Sequence, residues 1–161
     1  MARLRAQALT EDLFRRLGGS DIESLSHLAI VVCTVDGDGW PHPAILSYFE
    51  VAAVDRQNLR LAVYTDSRTC ANMRERGMAT LIIVDARLVC YVRGHVDELT
   101  PAMKAAPYNA KLNLRVEQVL FDEPPQELEP GAYVTNGILY SSRTAAALER
   151  ATAVLAELLE H

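Results

Sequence analysis

Two hydroxyls and a guanidinium stand close together in the run Tyr64-Thr65-Asp66-Ser67-Arg68-Thr69, where a strand-like pattern gives way to a helix-like one. Leu59 to Thr65 alternates apolar and polar side chains, and Asp66 or Ser67 can cap a helix that runs to Arg76 and is closed by Gly77. The first N–H groups of a helix have no acceptor within it and its dipole is positive there, so such a junction favours an anion. Thr65 and Ser67 would add hydroxyl donors, and Arg68 a fork of N–H groups matched to phosphate oxygens. The spacing leaves a second reading open, in which Ser67 only caps the helix and Arg68 is a solvated side chain. Farther along the same helix Arg74 is a reserve anion ligand, Arg76 a last-turn charge favoured by the dipole, and Cys70 a small hydrophobe facing the core.

Other chemistries find little support. The chain has no G-x-S-x-G elbow, Walker loop, G-x-G-x-x-G fingerprint or H-E-x-x-H pair. Its histidines, His27, His42, His95 and His161, are far apart in sequence and have no Cys or carboxylate at ligand spacing, so no metal site is expected. Cys33, Cys70 and Cys90 form no C-x-x-C pair and read as reduced thiols. The 21 acidic and 16 basic residues are spread along the chain, which argues against nucleic acid as a partner. The longest apolar runs, such as Leu28 to Val35, have the length of a strand and fall far short of a bilayer span. No secretory signal pattern opens the chain, and a cytoplasmic location with no membrane contact is expected.

The elements that must position the 64–69 junction can be read from the same pattern. The 161 residues read as a single domain, with an N-terminal helical segment over 1–26, a barrel over 27–122 and a C-terminal helix over 143–159. Thr10 caps a short helix from Glu11 to Leu17, and a further turn spans Asp21 to Ser26. Leu28 to Val35 is a β-branched strand stopped by Asp36-Gly37-Asp38-Gly39, the strongest hairpin signal in the chain. A second strand should run from Pro41 to Ala53, and Leu59 to Thr65 is the third. Met78 to Asp85 and Leu88 to Asp97 form another hairpin, a brief helix is expected after Thr100-Pro101, and Leu112 to Phe121 is the sixth strand. Asn136 to Arg143 reads as a turn and short strand feeding the last helix, with Ser142 as its cap, apolar positions at Leu148, Leu155 and Leu159, and charges at Glu149, Arg150 and Glu157. Six strands in meander order, with one helix inserted and one at the end, predict a small closed or split antiparallel barrel and not a parallel α/β sheet.

Three ordered motifs carry a resemblance. Tyr64-Thr65-Asp66-Ser67-Arg68-Thr69 resembles the strand-to-helix phosphate motif of the pyridoxamine 5′-phosphate oxidase-like FMN-binding split-barrel family, in which an aromatic-Thr pair is followed by Ser-Arg-Lys. Thr34 to Ser47, with Gly39-Trp40-Pro41-His42-Pro43 inside it, is similar to the family's first hairpin, and Tyr91-Val92-Arg93-Gly94-His95-Val96 to a later strand. The resemblance covers roughly Ser26 to Asp97. It implies a mainly β fold with flanking helices, a six-stranded antiparallel split β-barrel of FMN-binding type with a C-terminal helix, assembled as a homodimer with flavin between subunits. It further implies that backbone groups of Ala44, Ile45, Leu46 and Ser47 address the flavin ring, that Tyr64, Thr65, Ser67, Arg68, Thr69 and Arg74 surround the phosphate, and that Trp40 and Tyr48 either cover the ring or pack at the rim.

The oxidase proper carries an arginine near Ala44, a lysine at Thr69, a glutamine near Val89 and a C-terminal arginine-rich substrate segment that has no counterpart here. The implied function is therefore an FMN-dependent oxidoreductase of unassigned substrate, not a true pyridoxamine phosphate oxidase. Deazaflavin or haem is the alternative cofactor, with His42 and His95 as axial candidates for haem. A cofactor-free dimer binding a small molecule or a protein is the alternative from another class.

Overall fold

The computed structural model describes residues 1–141 and 143–161. Its strands are β1 (Ala2–Ala6), β2 (Leu28–Val35), β3 (Pro41–Ser47), β4 (Val51–Ala53), β5 (Asn58–Tyr64), β6 (Met78–Asp85), β7 (Leu88–Thr100), β8 (Asn109–Asp122) and β9 (Ile138–Leu139). Its helices are α1 (Glu11–Leu17), α2 (Ile22–Leu25), α3 (Arg68–Arg76) and α4 (Ala145–Leu159). The strands form one antiparallel sheet in the order β3-β2-β6-β7-β8-β5-β4, with β1 added to β8 and β9 to β2. It is a curled, split barrel of mainly β structure with a C-terminal helix.

Strand and helix follow local chemistry where local chemistry is strong. In the β2–β3 turn the Asp36 carboxylate accepts from the N–H groups of Asp38 and Trp40, each at 3.0 Å, and Gly39 takes φ 86°, which a side chain would resist. Ser67 caps α3 by accepting from Cys70 N–H at 3.1 Å, and Gly77 ends it at φ 63° with its N–H on the Met73 carbonyl. Inward side chains of the strands, among them Ile30, Val32, Leu61, Leu81, Ile83, Val92, Leu112 and Leu114, meet Leu13 and Leu17 of α1 and Cys70 and Met73 of α3 in one core. A smaller core joins Val154, Leu155 and Leu158 of α4 to Phe49, Ala52, Ala62 and Met103.

Long-range pairing overrides the sequence expectation in several places. The expected second strand breaks at Tyr48-Phe49-Glu50, so that β3 and β4 take opposite ends of the sheet order. Glu50 fixes this corner, its carboxylate accepting from Ser47 N–H at 2.7 Å and Ser47 Oγ at 2.9 Å. The first residues form β1 instead of belonging to a helical segment. β8 is 14 residues long and β5 pairs only with Asn109 to Arg115, so β1 takes up the Val119 to Asp122 stretch. With β4 and β9 the described residues therefore hold nine strands, not six.

The brief helix expected directly after Thr100-Pro101 does not form, and 101–108 is a loop. β7 stays paired as far as Thr100 against Lys111, and Pro107 limits the segment behind it to a length too short to nucleate a helix. The N–H groups of Lys104 and Ala105 instead donate to the Glu157 carboxylate of α4, at 2.9 and 2.7 Å. Glu157 is thus 8% exposed, while Leu148, expected to be inward, is 45% exposed. Ser142, the expected cap of α4, lies outside the described residues. The cap observed is Thr144, whose hydroxyl accepts from Ala147 N–H at 3.2 Å. Two cations meet the carbonyls at the far end of α4, Lys111 Nζ on Glu157 O at 2.7 Å and Arg60 on Leu158 O at 3.1 Å.

Candidate functional site

The helix α3 lies across the barrel against β2, β3, β5, β6 and β7, so its first turn sits where strands from both halves of the sheet converge. Asn72 ties it down from within: its amide donates to Thr34 Oγ1 of β2 at 2.9 Å, and both side chains are buried. At the junction before α3 the hydroxyls are already engaged. Ser67 Oγ donates to Tyr64 O at 2.7 Å as well as capping the helix, and Thr65 Oγ1 donates to Pro101 O at 3.2 Å. Arg74 folds back along the helix, giving Nη2 to Thr65 Oγ1 at 2.9 Å, Nη1 to Thr65 O at 3.1 Å and Nε to Glu98 at 2.5 Å. The hydrogen bond to Glu98 raises the Arg74 pKa further above its ordinary value.

Arg68 differs from its neighbours. Its side chain is exposed and makes no hydrogen bond or ion pair among the described residues, and the N–H groups of Arg68 and Thr69 find no acceptor there either. A guanidinium and two helix-terminal amides of the first turn of α3 are therefore uncommitted among the described residues, next to side chains that hold one another fixed. Thr69, at the position where the resemblance calls for lysine, is buried. Tyr64 is exposed, with its ring centroid 6.3 Å from that of Tyr108.

Ala44 to Ser47 lie on β3, which pairs with β2 along one edge and ends the sheet order. Leu46 and Ser47 are buried, Ala44 is half-buried and Ile45 is 48% exposed. Of the aromatic side chains beside this hairpin, Trp40 is exposed, whereas Tyr48 is buried in the core with its hydroxyl accepting from Arg16 Nε at 2.9 Å. Among the described residues no cluster of His, Cys, Asp and Glu could hold a metal ion. Burial raises the pKa of Cys70, against the pull of Arg74, so the thiol is not activated by its position next to the junction.

The outer face of the sheet departs from what water-facing β structure ordinarily presents. Cross-strand partners share a face, and Ile45, Val31, Ile82, Tyr91 and Leu120 are opposite one another in turn from β3 to β8. They form an apolar stripe across five strands on the side away from the core. Beside it a cleft of about 360 Å³ is lined by Cys33, Met78, Thr80, Arg76, Arg93 and His95 among others. Motif reading did not find Glu98, Asn72, Tyr108 or this stripe, because each acts through residues distant in sequence.

A curled antiparallel sheet in this order, with a helix laid across its mouth and another at the C-terminus, is the split barrel of pyridoxamine 5′-phosphate oxidase-like proteins. Solved structures show the same fold. A candidate pyridoxamine 5′-phosphate oxidase of Lactobacillus delbrueckii superposes with TM-score 0.59 at 19% identity, over 74% of this chain and 98% of that one. HupZ of Group A Streptococcus gives 0.56 at 17% identity, over 80% and 100% of the two chains. An FMN-binding protein of Syntrophomonas wolfei gives 0.52 at 14%, over 71% and 92%. No family model matches the chain. It belongs to the family of the uncharacterized protein YclD of Bacillus subtilis (strain 168), with which it shares 30% identity over 119 residues, 74% of this chain and 77% of that protein.

Proposed function

We propose that the chain is an FMN-binding oxidoreductase that works as a homodimer, with flavin held where two subunits meet. The observation that carries this reading is the uncommitted donor set at the start of α3. Arg68 and the amides of Arg68 and Thr69 offer an anion charge, direction and the positive end of a helix dipole, and no described residue satisfies any of them. The donor chemistry fits a terminal phosphate. Arg74 and Thr65, fully occupied with each other and with Glu98, act by holding the junction in place.

In this reading the backbone of Ala44 to Ser47 on β3 addresses the polar edge of the ring, and Ser67 keeps the first turn of α3 open toward the phosphate. Bound flavin would supply acceptance and delivery of a hydride or of single electrons. The chain's part is to orient the cofactor, neutralise its phosphate and exclude water. The apolar stripe through Ile45 and Ile82 supports the second subunit, since an antiparallel sheet that faces water is ordinarily polar on that side. The FMN-binding protein of Syntrophomonas wolfei shares this fold.

Titration of purified protein with FMN, followed by quenching of flavin fluorescence, tests the assignment. Arg68→Ala is expected to weaken binding roughly ten- to hundred-fold, the effect of losing a charge-assisted hydrogen bond of about 1.5–3 kcal/mol. Equal affinities, or no binding to the wild type, would return Arg68 to the role of a solvated side chain.

A further inference from the structure

A second cleft lies between the first half of α4 and the ends of β3 and β8, with a volume of about 240 Å³. From this geometry we infer that it binds a small aromatic carboxylate. Two guanidiniums border it. Arg143 stands 5.0 Å from the ring centroids of both Phe49 and Tyr140 and gives one nitrogen to Ser26 O at 3.2 Å, which fixes its plane and leaves other donors over. Arg150, about two turns farther along the chain, is exposed and has no ion pair or hydrogen bond among the described residues.

A neutral polar side chain completes the lining. Asn109 lines the same cleft, and its side-chain amide makes no hydrogen bond to a described residue, so it has donor and acceptor capacity left for an occupant. An occupant with a polar group could engage that amide. Tyr108 and Tyr140 supply flat apolar walls suited to a ring. The Glu50 carboxylate in the wall selects among anions: it disfavours a dianionic phosphate more than a singly charged carboxylate, which the two arginine forks match. The volume is below the roughly 300 Å³ at which drug-sized ligands are usually held, so one substituted ring is the expected scale.

Ser47, the last residue of the strand assigned to the flavin ring, is also part of this cleft. Calling the occupant a substrate rests on the flavin reading; binding itself does not. Isothermal titration with 4-hydroxybenzoate tests the cleft directly, using protein with and without FMN. Saturable binding is expected, at least tenfold weaker for the uncharged 4-hydroxybenzamide and for phenyl phosphate, and at least tenfold weaker again in Arg150→Gln. Arg143→Gln should behave alike; should that variant misfold through loss of its contacts to Phe49 and Ser26, the exposed Arg150 position still decides. Absence of binding, indifference to the probe's charge, or unchanged affinity in Arg150→Gln overturns the inference. Benzoate binding without any FMN binding would instead remove the flavin reading and leave the cleft standing.

Discussion

Arg16, at the end of α1, joins two parts of the barrel, giving Nε to the Tyr48 hydroxyl at 2.9 Å and Nη2 to the Asp85 carboxylate. Burial pushes the Asp85 pKa up, but hydrogen bonds from Arg16 and from the N–H of Ala86 outweigh it and hold the carboxyl below its ordinary range. A carboxylate with a depressed native pKa contributes stability that is present above its unfolded value, near about 3.9, and lost as pH falls through the native one. Asp85→Asn should therefore lower the unfolding free energy by about 1–2 kcal/mol at pH 7 and by progressively less below about pH 4. Urea unfolding at several pH values measures this, and a pH-independent difference would remove the ion pair from the account. Gly94 shows what a residue pattern conveys and what it withholds. In the sequence it is one residue of a run that resembles a family strand, and the structure supplies the reason for a glycine: a Cβ there would lie 2.1 Å from Arg115 O, where β7 and β8 shift register. That crossing joins residues remote in sequence, so no local reading could reveal it.

At the scale of elements, legibility followed the range of the forces. The cap, core face and terminal glycine of α3 all belong to one short stretch; the sequence leaves Asp66 and Ser67 open as the cap and the structure takes Ser67, while the end at Arg76 and Gly77 agrees to the residue. The segment after Thr100 carries a helix-start pattern yet forms a loop, because the group that satisfies its amides, Glu157, lies on α4, more than fifty residues away. A carboxylate on a helix read as exposed is in fact the clasp that holds the 101–108 loop, and through that loop Pro101 O meets Thr65 and Tyr108 meets Tyr64. Removing the clasp leaves two amides without an acceptor. Glu157→Ala should speed hydrogen exchange at Lys104 and Ala105 at least tenfold and destabilise the fold by about 1–3 kcal/mol, with Glu157→Gln recovering part of both. Unchanged exchange at those two amides would show that the loop is held by other contacts.

At the scale of the molecule the barrel class was legible, since alternating strands, turns and one inserted helix admit few arrangements. Strand order was not, because it depends on which distant strand takes each edge. The stripe through Ile45, Val31, Ile82, Tyr91 and Leu120 becomes visible only once that order is known. If a second copy covers it, Ile82→Glu should convert a two-chain species to single chains in sedimentation velocity and weaken FMN binding in parallel. A wild type that sediments as one chain at tens of micromolar would refute the dimer. The corner at Tyr48 to Glu50 has one more effect. Because it sends consecutive strands to opposite ends of the sheet, β5 has only the short β4 beside it until β8 arrives, 45 residues after its own last residue. During synthesis that edge therefore stays open until β8 has emerged, and pairing this distant in sequence is the kind that slows folding.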